Sequence, residues 1–212
     1  MNEEIFCVPY NKVEDIKNGF NIDNISTKAI WNMFDGTGKY IDKNYVLEHN
    51  ALQRILPFII INNGSTTDFK ILCNILKDDE KTIISIGFSE DITPDCGYIN
   101  SLFYGCSKII LDNFSGHEIK PLMYLGTVRD TRNNPSSVGF VFNYIVNEDI
   151  SYRNYYILKD NTKLLNKDFK KKYKDQVKKK IYAEWMSLDQ LLNKYAYLTE
   201  WSKYCINNFI KD

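Results

Sequence analysis

Four arginines stand out in a chain that otherwise carries its positive charge on lysine: Arg54, Arg129, Arg132 and Arg153. Arg129 and Arg132 flank Asp130 in one short polar segment, and a guanidinium fork matches the paired oxygens of a phosphate or carboxylate. Arg129, Asp130 and Arg132 are therefore candidates for contacting an anionic ligand, with an ordinary loop salt bridge as the plainer reading. Glu90, Asp91 and Asp95 crowd one turn, where they either supply oxygens to a hard cation or face water. Glu184, beside Trp185 in a strand-like run, either faces solvent or serves a site. The thiols and imidazoles promise less. Cys7, Cys73, Cys96, Cys106 and Cys205 are odd in number, scattered and free of any C-x-x-C pair, so neither a disulfide framework nor a thiolate zinc site is expected. Lone cysteines more often pack as small core hydrophobes than act as nucleophiles. His49 and His117 lie far apart, without metal-ligand spacing.

These residues belong to a chain of 212, with 27 Lys+Arg against 27 Asp+Glu and 44% hydrophobic residues. That length suits one domain with additions or two small ones, and the apolar content suffices for a core. Zero net charge argues against a broad nucleic-acid surface. No apolar run approaches a membrane span, and the acidic start lacks a signal-peptide core. The expectation is a cytoplasmic protein without a membrane partner.

Periodicity sets out the elements that must position the chemistry. Ile5–Pro9 reads as a strand, and Ser26 as the cap of a short helix carrying Ile30, Trp31 and Phe34. Leu56–Ile61 and Phe69–Leu76, joined at Asn62-Asn63-Gly64, read as a hairpin, and Thr82–Phe88 as a third strand. Ile99, Leu102, Phe103, Cys106, Ile109, Ile110 and Phe114 form one continuous helical stripe, with Asn100 or Ser101 as its cap and Gly116 past its end. Strands are expected at Leu122–Val128, Val138–Val146 and Tyr152–Leu158. The lysines between Lys167 and Lys180 read as a solvated face or loop, with an anion patch as the sharper alternative. Ile181–Met186 is a last strand, Ser187 caps a helix to Tyr195, and Thr199 caps another. Strands outnumber helices, an α+β pattern.

Several of these segments, in order, resemble the Nudix superfamily, most closely its subgroup of predicted phosphoesterases. The segments are Ile5-Phe6-Cys7-Val8-Pro9, Ile55-Leu56-Pro57-Phe58, Ser85-Ile86-Gly87-Phe88, Leu125-Gly126-Thr127-Val128-Arg129-Asp130, Asn133-Asn134-Pro135 running to Phe142, and Ala183-Glu184-Trp185-Met186-Ser187-Leu188, with Trp201-Ser202 closing. The resemblance implies a Nudix-type α/β/α sandwich with a mixed sheet. Residues 1–49 would be an N-terminal extension packed on the core, and residues 50–212 the Nudix-like domain. Trp185 and Trp201 are expected in core packing.

The family's box, G-x5-E-x7-R-E-U-x-E-E-x-G-U, holds magnesium or manganese on glutamates of one helix face against a diphosphate. Setting Ile110 on its aliphatic position puts Lys108 on the arginine and Asp112 and Asn113 on the glutamate pair. Sliding by one puts Lys108 and Asp112 on the two metal glutamates. Either way at most one carboxylate survives, and Ser89, Glu90 and Asp91 replace the subgroup's Gly-Gly-His. The expected function is binding of a nucleotide or nucleoside-diphosphate derivative with little or no hydrolysis and no metal cofactor. One alternative is a divergent magnesium- or manganese-dependent pyrophosphohydrolase using Asp112, Glu90 and Asp91, with Asp112 and Glu118 on the metal. The other is a protein-interaction domain with a closed cleft.

Overall fold

The computed structural model describes residues 3–22, 34, 36–96, 101–115, 121–147, 150–169 and 171–209. Strands β1 (Glu4–Pro9), β2 (Gly19–Ile22) and β3 (Lys39–Asp42) precede a short helix, α1 (Lys43–Glu48). Then come β4 (Leu52–Asn62), β5 (Lys70–Lys77), β6 (Thr82–Ser85) and β7 (Gly87–Phe88). Helix α2 (Ser101–Asn113) leads into β8 (Phe114–Ser115), β9 (Met123–Asp130) and β10 (Asn134–Ile145). The last part holds β11 (Ser151–Tyr152), β12 (Tyr155–Leu158), β13 (Lys163–Leu165), β14 (Val177–Ser187), α3 (Leu188–Asn193) and α4 (Glu200–Phe209). The main sheet runs β13-β12-β14-β5-β4-β10-β9-β2, with β1, β3, β6 and β7 paired off that path.

The centre of the sheet follows from two apolar runs. β4 and β10 pair in parallel from Arg54 to Asn62, and both are buried nearly throughout. A strand covered on both faces needs a continuous β-branched and aromatic sequence, which Ile55–Ile61 and Val138–Tyr144 supply. Alternate residues serve two cores. Ile55, Ile59 and Ile61 meet Leu102, Cys106, Ile109 and Ile110 of α2 on one face. Phe58 and Ile60 meet Cys205 and Ile206 of α4 on the other. Each large aliphatic so buried contributes about 1.5–3 kcal/mol, so a charge at Ile109 would detach α2.

The expected hairpin is splayed. β4 and β5 pair only at Asn62–Ile71, beyond the left-handed Gly64 (φ 65°), and β7 joins β4 while β6 joins β5. The single strand expected over Thr82–Phe88 thus breaks at Ile86, changing partner as the gap opens. The break is satisfied from far away: the Ile86 N–H donates 3.0 Å to Oγ of buried Ser202 on α4. Gly87 is required there because a Cβ would lie 2.4 Å from the Phe58 ring.

The single strand expected over Tyr152–Leu158 is likewise split, Tyr152 falling in β11, which pairs with β8, and Tyr155–Leu158 forming β12 in the main sheet. The remaining expectations hold with shifted ends. The stripe from Leu102 to Ile110 forms α2, but Phe114 already belongs to β8; Ile99, Asn100 and Gly116 lie outside the described residues, as do Ser26, Ile30 and Trp31. Phe34 packs edge-on against Phe6 and Phe140. Ser187 closes a capping box with Gln190 at the start of α3, and the Ser202 N–H reaches Thr199 Oγ1. Residues before Asn50 are woven into the main sheet, because β1 pairs with β4 and β2 with β9. β2, β3 and β13, short and of mixed polarity, carry no periodic signal. Trp185 packs beside the α2 core and Trp201 beside the α4 core, as expected for packing residues.

Candidate functional site

A cavity of about 90 Å³ opens between the end of α2 and the sheet, lined by Asn74, Glu90, Asn113, Tyr152, Tyr155 and Lys163 among others. Seven elements build it, with Tyr152 from β11 and Ile181 from β14 among the lining residues. Asn74 is the polar interruption of the apolar run in β5, on the face that carries Leu72 toward α2. Ser89 and Glu90 follow β7, and Ile109 and Asn113 lie on successive turns of α2. Tyr155 and Lys163 come from the β12–β13 pair, where the Lys163 ammonium sits 3.9 Å from the Tyr155 ring centroid.

The Asn113 amide donates 2.9 Å to Glu90 Oε1 and 2.9 Å to the Ile109 carbonyl, and Asn113 is only 5% exposed. An amide therefore stands at the buried end of α2, and the carboxylate beside it arrives from the loop after β7. The end of α2 is capped from β12 and its approach. Arg153 Nη1 and the Tyr155 hydroxyl both donate to the Asp112 carbonyl, at 3.3 and 3.2 Å, so one orphan carbonyl of the helix end is met twice. Burial raises the Tyr152 phenol pKa, with Tyr155 and Glu90 adding to it; burial also raises that of Tyr155, against the opposing effect of Arg153. Both rings thus present neutral hydroxyls. Asn74 Oδ1 is buried and has no hydrogen-bond partner among the described residues, and such an acceptor calls for a donor from water or a ligand.

The residues singled out from sequence divide sharply. Glu90 lines the cavity. Asp91, its neighbour, does not: it pairs with Lys43 at 2.9 Å and Arg54 at 3.3 Å, tying α1 to β4. Burial works against the charge of Lys43, but the hydrogen bonds to Asp91 and Glu3 prevail and raise its pKa. Asp112 is exposed, and Asp95 bonds Lys108 at 2.6 Å. Glu118 lies outside the described residues. Glu184 is exposed on the α4 face, since it pairs with Cys73 of that core, so the sheet separates it from the cavity.

Arg129 and Asp130, expected to face a ligand, are each 1% exposed. Arg129 Nη1 donates to the carbonyls of Val13 (2.8 Å) and Ile16 (3.0 Å), and Nη2 to Gln53 Oε1 at 3.4 Å. Tyr10 covers the guanidinium, its ring centroid 5.1 Å away. Asp130 accepts from the backbone of Arg132 and Asn133 and from the Asn133 amide, closing its own turn. Arg132 alone of the three is exposed. These two charges hold the N-terminal segment and a turn in place, and β9 lies three strands from β5.

Magnesium or manganese suits this donor set poorly. A hard divalent cation needs several clustered oxygens, whereas the cavity offers one carboxylate, already bonded by an amide, beside an ammonium. No group of three His, Cys, Asp or Glu positioned for a metal occurs among the described residues. Sequence reasoning missed Asn74, Tyr152, Tyr155 and Lys163. Asn74 had a signal, a lone amide inside Ile71–Leu76; Lys163 had none.

No protein-family model matches the chain, and no curated protein matches it. Among solved structures it is similar to Tm1382, described as "a putative Nudix hydrolase", with 14% identity over 99% of each chain and a TM-score of 0.69. At that identity the likeness establishes a shared fold: a mixed sheet with few helices, of Nudix-like α+β form. No helix among the described residues is long and apolar enough to cross a membrane.

Proposed function

We propose that this chain is a Nudix-like binding protein that holds the phosphate of a nucleotide or nucleoside-diphosphate derivative in the Glu90–Lys163 cavity, with little or no hydrolysis. The observation that carries this reading is Lys163, which lines the cavity at the end of α2 together with Glu90 and Asn113. An ammonium supplies a fixed positive charge and three donors to phosphoryl oxygens. It brings no Lewis acid and no metal-activated water, the two contributions that make phosphate chemistry fast. Tyr152 and Ser89 add hydroxyl donors, while Asn74 Oδ1 and Glu90 are acceptors suited to a ligand hydroxyl. About 90 Å³ is room for roughly three waters or one phosphoryl group, so base and sugar would lie across the rim. The proposal requires no metal.

Glu90 favours one rival, a hydrolase that uses this loop carboxylate. Calorimetric titration with ADP, ADP-ribose, ATP and a dinucleoside polyphosphate, with and without manganese, separates the two while product is followed. Binding without turnover is expected, weakened about tenfold or more (~1.4 kcal/mol) by Lys163→Ala and unchanged by Glu184→Gln on the far face. Turnover at an ordinary ~1–10³ per second would establish the hydrolase instead.

A further inference from the structure

The zero net charge conceals a segregation. Residues 153–180 carry eleven Lys and Arg against three Asp, a surplus of eight that the remainder of the chain balances. Much of this stretch forms β12, β13 and the first half of β14, at one edge of the sheet. Its register brings lysines together on the α4 face. Lys180 of β14 pairs directly with Lys77 of β5, in line with Tyr182–Ile75 and Met186–Ile71, whose side chains enter the α4 core. Among the described residues neither Lys77 nor Lys180 has a carboxylate within 4.0 Å.

Like charges directly opposite on neighbouring strands are unfavourable, and proteins break such local rules chiefly at functional sites. The row continues in aromatic rings. Tyr156 of β12 pairs with Lys180, and Phe169 stacks on Tyr156 at 4.1 Å between centroids and 24° between planes. Lys180 also lies over the Tyr182 ring at 4.8 Å. Exposed Lys178 is nearby on β14, its ammonium bonded to Asn161 Oδ1. The acidic turn Asp78-Asp79-Glu80 borders the row at the β5 end.

We infer that this edge, from Lys77 through Lys180 to the Tyr156–Phe169 stack, is a binding surface for single-stranded nucleic acid. The row crosses β5, β14 and β12, about 10 Å at ~4.8 Å per strand. Lysines alone fit any polyanion; flat rings continuing the row beside them fit a strand whose bases are free to stack, and base–aromatic stacking tolerates any sequence. An acidic protein or an anionic membrane supplies charge but no bases. The surface faces away from the Glu90–Lys163 cavity and does not depend on what that cavity holds.

The test is fluorescence anisotropy of the full chain with labelled oligothymidylate and oligouridylate, a matched duplex, polyglutamate and phosphatidylserine vesicles, between about 50 and 200 mM salt. Single strands are expected to bind best. Lys178→Ala with Lys180→Ala should make the salt dependence of log affinity shallower by about 1.4, since each neutralised phosphate of a single strand contributes ~0.7. Tyr156→Ala should weaken single-strand binding about tenfold and leave the duplex unaffected; Tyr156→Trp should retain it, which separates stacking from misfolding. Absence of single-strand binding at low salt would overturn the inference. Equal binding of polyglutamate or vesicles, or binding indifferent to the lysine pair, would overturn it too.

Discussion

The Arg129 corner and the Glu90–Lys163 cavity lie on the same side of the sheet, and each gathers charged and polar groups inside the fold. At Arg129 three donor contacts go to carbonyl or amide oxygens, an aromatic ring covers the guanidinium, and exposure falls to 1%. At the cavity one carboxylate and one ammonium share an opening with two neutral phenols, and an amide oxygen lacks a partner. The first arrangement engages both terminal nitrogens of the guanidinium, leaves only Nε without a partner among the described residues, and consolidates the N-terminal segment. The second leaves its unmet acceptor and its ammonium at an opening. A residue type suited to anions is thus no guide by itself to an anion site; what matters is whether its donors are already engaged.

Three measurements would break or sharpen that contrast. The largest effect belongs to Arg129→Ala, which removes the guanidinium that links the carbonyls of Val13 and Ile16 to Gln53 inside the fold. Urea unfolding should show a loss of about 3 kcal/mol, only partly recovered by Arg129→Lys, whose single ammonium cannot reproduce the fork. A small stability change accompanied by lost ligand binding would reverse the roles of the two corners. Next comes Asn74→Leu, which removes an unpartnered buried oxygen and fills space. A gain of about 1 kcal/mol is expected together with lost binding of the phosphorylated ligand; a net loss of stability would mean that Asn74 is structural.

The smallest effect tests charge beside α2. The Lys108 hydrogen bond, then that of Thr93, lowers the Asp95 carboxyl below its ordinary 3.8. A depressed pKa contributes stability above the ordinary value, which is lost as pH falls through the lowered one. Asp95→Asn should therefore lower stability slightly at neutral pH, by less than about 1 kcal/mol for so exposed a pair, read as a small drop in Tm. The difference should vanish in strong acid. A difference that persists there would point to packing rather than charge.

Legibility differed between scaffold and site for a physical reason. The stripe Leu102–Ile110, the runs within β4 and β10 and the Ser187 and Thr199 caps are local patterns, decided within a few residues, and they appear where expected. β2, β3 and β13 form only because a neighbouring strand offers an edge, so their own residues carry little signal. Glu90 was legible as part of an acidic turn, but nothing local distinguished it from Asp91. One more residue along the chain sends the carboxylate to Lys43 and Arg54 instead of to Asn113.

The sequence by itself determined the α+β composition, the apolar runs that become β4 and β10 and the apolar stripe of α2, because periodicity and residue identity are written along the chain. Tertiary structure alone decided which charges are engaged. Arg129 meets Val13 across 116 residues, and Ser202 repairs the break at Ile86 across another 116. A charged group's role depends on the partners and solvent around it, and those are set by chain segments too distant for any local pattern to encode.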